Sequence, residues 1–150
     1  MTKEVLISIV GLHTGIDSET GKTEPVEVVT PGTYYFKNGK HYILFEEVIE
    51  GMPGSIKNTI KITGDKIFEI RKSGITSAKM EFEKDHMSLS NYQTPFGDMQ
   101  VGIQTRDIKV DVQEDLITVK IFYLLDVNNE PLSECKIEVK VKSLKKQENS

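Results

Sequence analysis

Apolar and polar residues alternate with a period of two along most of this chain, most cleanly in its C-terminal third. Placing Val112 opposite Ile117, with Glu114-Asp115 as the turn, sets Val110 against Val119, Ile108 against Ile121 and Arg106 against Tyr123. Across a second turn at Asn128-Asn129-Glu130 the same face continues from Ile121 to Ile137, Val119 to Val139 and Ile117 to Val141. The opposite face collects Asp107, Lys109, Asp111, Thr118, Lys120, Glu138, Lys140 and Lys142. Successive side chains of a strand point to opposite sides, so only a half-buried antiparallel sheet satisfies both sets at once.

The earlier chain reads the same way. Residues 3–13 predict a long strand with Val5, Ile7 and Ile9 on one side and Leu6, Val10 and Leu12 on the other, a strand covered twice or bent through a barrel wall. A polar loop over 15–24 follows, then strands over 26–36 and 40–48 joined by Asn38-Gly39, the pair that two-residue hairpins favour. Pro31-Gly32 predicts a kink or bulge in the first of these. Residues 50–55 are a turn-rich break, and 56–63 with 66–72 form a hairpin around Gly64-Asp65. A two-residue turn there would bring Ile67, Glu69 and Arg71 beside Ile60 and Ile62. A three-residue turn brings Phe68 and Ile70 instead and sends Glu69 and Arg71 to water. The second is preferred, because it buries no charge without a partner.

The hairpin around Lys84-Asp85 predicts Ala78, Met80 and Phe82 on one face with Met87 and Leu89, and Lys79, Glu81 and Glu83 on the other with His86 and Ser88. Another turn runs from Thr94 to Asp98. In the long segment 99–112, Val101 and Ile103 hold one phase and Ile108, Val110 and Val112 the other, which predicts a bulge near Gln104-Thr105. No window carries a helix period. About ten strands with short connections describe an all-β, up-and-down antiparallel barrel. Closure is preferred to a sandwich because sequential tight hairpins need no crossover and a closed sheet hides its edges. Residues 1–144 are expected to form a single barrel domain, with 145–150 a disordered C-terminal tail.

Composition narrows the function classes. Hydrophobic residues at 37% and charged residues at 28% suit strands with one solvated face each. A net charge of −4 argues against nucleic acid, whose phosphates need a basic surface. The lysines of the last strand (Lys136, Lys140, Lys142, then Lys145 and Lys146) make a local basic edge that edge protection and solubility explain better than nucleic-acid binding. No apolar run is long enough to span a bilayer and no signal-like segment opens the chain. One cysteine, Cys135, permits no internal disulfide. These features lead to an expected cytoplasmic location with no membrane partner.

Three stretches, VLISIVGLH, VEVVTPGTYYFKNGKHYILFEE and SNYQTPFGDMQVGIQT, together resemble the YwiB-like proteins, bacterial proteins of unassigned function. The likeness spans nearly the whole chain and is most specific at Tyr92-Gln93-Thr94-Pro95-Phe96-Gly97 with Val101-Gly102-Ile103. It implies a closed or nearly closed barrel of the lipocalin-like (calycin) kind in a bacterial cytosolic setting. It brings no activity, substrate or catalytic residue. Barrels of that kind often hold small apolar or amphiphilic molecules, an inference from fold analogy alone.

Candidate chemistry is sparse. His13, His41 and His86 lack the spacing of a metal site, and no cofactor is implied; an axial haem ligand from His13 or His41 is the weaker reading. No paired carboxylates, phosphate loop or nucleophile-base set can be assembled, so enzymatic activity is the least favoured class. Arg106, Tyr123 and Cys135 are expected to form one row across three strands. Arg106, ending an apolar stripe, either snorkels at the rim, forms an internal ion pair or meets a ligand carboxylate or phosphate. Cys135 reads as a small buried hydrophobe beside Tyr123. The hydroxyls of Tyr34, Tyr35, Tyr42, Tyr92 and Tyr123 could orient a ligand, although aromatics in strands mostly pack. Two functions remain: a barrel binding a small amphiphilic ligand in or at its mouth, with Arg106 and Tyr123 as anchors, or a filled barrel working as an interaction module or homodimer. Apolar residues on the polar faces (Leu116, Phe122, Leu124) favour the latter.

Overall fold

The computed structural model describes residues 2–13, 26–48, 51, 53–94, 97–127 and 133–144. The expected loop over 15–24, the Pro95-Phe96 turn, the turn at Asn128-Asn129-Glu130 and the tail 145–150 lie outside these. Ten strands appear: β1 (Thr2–His13), β2 (Val26–Lys37), β3 (Lys40–Glu47), β4 (Ile56–Thr63), β5 (Ile67–Gly74), β6 (Ala78–Glu83), β7 (Met87–Thr94), β8 (Gly97–Val112), β9 (Leu116–Val127) and β10 (Ser133–Ser143). They form one antiparallel sheet in the order β6-β5-β4-β3-β2-β1-β10-β9-β8-β7. Pairing of β1 with β10 joins the two ends of the chain, so the nearly closed barrel has its seam inside the β6–β7 hairpin.

The register of the last three strands matches the apolar pattern: Val112 with Ile117, Val110 with Val119, Ile108 with Ile121, then Ile121 with Ile137, Val119 with Val139 and Ile117 with Val141. At Asn38-Gly39 both residues take positive φ (54° and 76°), as the two-residue turn requires. Ile60 pairs with Ile70 and Ile62 with Phe68, so the three-residue turn at Gly64 is the one formed. Glu69 then faces outward as expected, but it does not reach water freely. It is 8% exposed, covered by Arg71 (3.5 Å), Lys79 (3.9 Å) and Lys61 (4.0 Å).

Three expectations need correction. First, the kink or bulge expected at Pro31-Gly32 is not a bulge against β1, where β2 runs through in register; the ladder is interrupted on its other edge. Its ladder to β3 instead starts only at Thr33, and Leu44 O comes so close to Gly32 that a Cβ there would sit 2.5 Å from it. Second, β7 has the opposite phase: Met87 and Leu89 are 60% and 67% exposed, while Ser88 and Ser90 point inward and are half-buried. The sequence reading paired β7 with β6, whereas the ladder that orients β7 is the one to β8, which sets Ser88 opposite Ile103 and Ser90 opposite Val101. Third, the bulge in β8 lies at Arg106 itself. Thr105 pairs with Tyr123 and Asp107 with Phe122, leaving Arg106 as the extra residue, exposed to solvent.

The core is closely packed. Ile7, Ile43, Ile60, Ile62, Phe68, Val119 and Val139 are all 0% exposed, and Val5, Phe82 and Ile103 are 1%. These side chains fill the part of the barrel they line, while Met80, Tyr92 and Tyr123 pack against them only half-buried. The rings of Phe68 and Phe82 meet edge-on at 5.9 Å, and those of Phe82 and Tyr123 at 5.0 Å. Each such side chain contributes roughly 1.5–3 kcal/mol by burial, far more than any exposed ion pair of the outer face.

Candidate functional site

The row expected to hold Arg106, Tyr123 and Cys135 is present with one member changed. Cys135 pairs with Tyr123 and Tyr123 with Thr105, so a threonine stands where the guanidinium was expected. The Tyr123 hydroxyl and the Cys135 sulfur share a hydrogen bond. Burial, and then the neighbouring thiol, push the Tyr123 hydroxyl far above its ordinary pKa. Burial also raises the Cys135 thiol, and the hydrogen bond from Tyr123 does not offset it. Such a shift disfavours the thiolate, the form in which cysteine is reactive. Thr105 is 1% exposed and its Oγ1 has no hydrogen-bond partner among the described residues.

A second polar group, which the sequence reading missed, lies on the inner face where β3, β4 and β5 end. Asn58, only 1% exposed, donates through Nδ2 to Glu47 Oε1 (2.8 Å) and accepts from Lys72 Nζ at Oδ1 (2.7 Å). Lys72 also donates to Glu47 Oε1 (2.9 Å), closing a triangle. Burial alone would raise the Glu47 carboxyl; the bonds from Lys72 and Asn58 and the lysine charge outweigh it and leave its pKa lowered. Burial, then the Glu47 charge, raise the Tyr92 hydroxyl. The signal for this cluster was available: Asn58 and Lys72 occupy the apolar phase of Ile56-Asn58-Ile60-Ile62 and Phe68-Ile70-Lys72, and they pair directly.

The histidines stay apart from this group. His41 is half-buried, shares a hydrogen bond of 2.7 Å with the Tyr34 hydroxyl, and has its pKa lowered by burial; burial likewise raises Tyr34. His86 is exposed, with Nδ1 3.9 Å from a Glu83 oxygen. The His13 side chain lies outside the described residues. Tyr35 and Tyr42 stack on the outer face at 4.8 Å, serving packing. Among the described residues no group of three or more His, Cys, Asp or Glu is placed to hold a metal, and no helix is long and apolar enough to cross a membrane.

An apolar-lined hollow lies on the outside. A depression of about 760 Å³ over β8, β9, β10 and β1 exposes the half-buried Phe122 beside Val10, bordered by Asp107, Glu134, Glu138, Lys109, Lys120 and Lys136. The Lys136 ammonium lies 5.8 Å from the Phe122 ring centre.

A ten-stranded, nearly closed antiparallel barrel around an apolar core, with no metal-holding cluster among its described residues, defines the class of protein. Within it, the chain belongs to the family described as a domain of unknown function (DUF1934), whose model matches residues 8–139. It is 27% identical over 112 residues to the uncharacterized β-barrel protein YwiB of Bacillus subtilis (strain 168), covering 75% of this chain and 77% of that one. The crystal structure of the ywiB protein from Bacillus subtilis superposes with a TM-score of 0.81 at 18% identity, over 96% of this chain and 94% of that chain. The barrel fold is therefore shared with a solved relative.

Proposed function

We propose that this barrel is a non-catalytic interaction module whose working surface is the outer depression around Phe122, and that a second copy of the chain is its first partner. The supporting observation is the contrast between the two faces. Inside, many of the core side chains are 0–1% exposed, and Arg106, the expected anchor for an amphiphilic guest, lies in solvent at the bulge. Outside, an aromatic ring sits in an apolar-floored hollow ringed by three carboxylates and three lysines. A rim carrying both signs in equal number matches a two-fold copy of itself, and a central aromatic within a polar rim is how interfaces concentrate their energy. Sedimentation equilibrium of the protein and of Phe122→Glu tests this. Self-association in the range of about 10–100 μM, abolished by the substitution, is the expected result. A wild-type monomer throughout that range refutes it.

A further inference from the structure

The outer face of β5, β6 and β7 sorts its side chains by row. Glu69 points outward on β5, so Arg71 and Ser73 do as well. Arg71 pairs with Lys79 and Lys72 with Ala78; the same register one residue further sets Ser73 beside Ser77. Ser77 bridges Gln93 on β7, and two residues along that antiparallel pair Asn91 comes opposite Lys79. Two neighbouring rows therefore cross the three strands, Arg71-Lys79-Asn91 and Ser73-Ser77-Gln93, and all of these residues are exposed. On β4 the rows continue with Thr59 and Lys57.

Every side chain in the two rows carries a hydrogen-bond donor, and none is a carboxylate. That is a local reversal in a chain whose 23 acidic residues outnumber its 19 basic ones. The adjoining row holds two carboxylates, Glu69 and Glu81, paired with each other. Glu69 is shared by Arg71 (3.5 Å), Lys79 (3.9 Å) and Lys61 (4.0 Å), so one acid faces three cations. Arg71 and Lys79 meanwhile stand directly opposite each other, a like-charged cross-strand pair that is unfavourable until an anion lies between them. Their side chains are 62% and 55% exposed, so both can turn to a ligand.

We infer that this patch binds the phosphoryl group of a small phosphate monoester. The donors of β5, β6 and β7 border a single hollow of about 620 Å³ whose floor includes Ala78, Ser88 and Ser90. That size falls within the roughly 300–1,000 Å³ of small-molecule sites. The phosphoryl group sits over the two rows on the outer face, so it needs no separation of β6 from β7. The Arg71 guanidinium offers two parallel N–H groups to a pair of phosphoryl oxygens, and Lys79 offers a compact charge to the third. The hydroxyls of Ser73 and Ser77 and the amides of Asn91 and Gln93 donate from the remaining sides. Leu89, 67% exposed, and Glu81 border the far end of the hollow. The acid there repels a second anionic group, so the ligand carries its charge at one end and a neutral body at the other. The site is separate from the Phe122 hollow.

The test titrates glycerol 3-phosphate into isotopically labelled full-length protein, in phosphate-free buffer of low ionic strength, while backbone amide resonances are followed. Saturable shifts at Ser73, Ser77, Lys79 and Asn91 with a Kd of about 1 mM are expected, and none with glycerol. Arg71→Ala and Lys79→Ala should each weaken binding about tenfold, and Lys79→Arg should retain it. Lys109→Ala and Phe122→Glu, both in the other depression, should bind as the unaltered protein does, which separates the two sites. No saturable shift up to about 10 mM, or an equal loss in Lys109→Ala, would overturn the assignment. So would tighter binding of hexaglutamate, which would point to an acidic protein partner instead.

Discussion

Replacing Thr105 by valine isolates the most informative position of the core. Thr105 is 1% exposed, it stands opposite Tyr123, and its hydroxyl finds no partner among the described residues. A buried hydroxyl without a hydrogen bond costs roughly 1–3 kcal/mol on mutational scales. Valine keeps the branched shape and the strand preference while removing that atom. Thr105→Val should therefore stabilise the barrel by about 1 kcal/mol, raising Tm by roughly 2–4 °C in a domain of this size. Urea denaturation should show a higher midpoint with an unchanged slope. Arg106→Ala is the control: a solvent-exposed bulge residue should change stability by less than about 0.5 kcal/mol. If Arg106 instead occupied the inner row, its removal would leave buried partners unsatisfied at a cost of roughly 3–5 kcal/mol. Destabilisation by Thr105→Val together with a large loss in Arg106→Ala would refute the register at the bulge.

Asn58→Ala should cost about 2 kcal/mol, since it strands the Lys72 and Glu47 groups it bonds, and chemical denaturation reads this directly. Gly32→Ala should destabilise by roughly 1–3 kcal/mol, because the new methyl would sit 2.5 Å from both Leu44 O and Ile7 Cδ1. The pH dependence has a definite sign at two sites. Glu47 has a folded pKa below its ordinary 4.5, so its contribution is present above that value and is lost as pH falls through the folded pKa; Glu47→Gln should flatten that limb of the stability profile. His41 has a folded pKa below 6.5, so the folded state binds fewer protons and stability rises with pH up to about that value; His41→Gln should remove the slope, and an imidazole titration followed by NMR should place its midpoint under 6.5.

Where a strand has one buried face and two partners of matching phase, its register could be read directly from residue order. Strands β8, β9 and β10 are such a set, as are β4 and β5, where burying Glu69 alone would have been costly. The failures occur where that logic lacks a second constraint. For β7, Met87-Ser88-Leu89-Ser90 has an apolar phase, and apolar residues are normally turned inward. Its actual orientation follows from β8, which lies beyond the Thr94 to Asp98 turn and places Val101 and Ile103 opposite Ser90 and Ser88. For β8, periodicity located the bulge to within a residue or two but could not decide which residue is looped out. That choice decides whether Thr105 or Arg106 faces Tyr123. The Glu47–Asn58–Lys72 triangle is not legible in any one strand, because two polar residues in the apolar phase of paired neighbours form a satisfied network only across the ladder.

The bulge and the seam have one cause. An extra residue in one strand bends that strand and increases its twist, and Arg106 is that residue in β8. Thr105, next to it, holds both Asp85 and His86, so the start of β7 is fixed to β8 where β8 bends. From there β7 follows β8. The course of β6 is set independently, by its full ladder to β5 and by Phe82 wedged between Phe68 and Tyr123. Two strands joined by a tight turn are thus each committed to a different neighbour, and they meet again only at Ser77 and Gln93. Because the constraint on each bank lies in core packing and not in the hairpin, the gap belongs to the folded barrel itself.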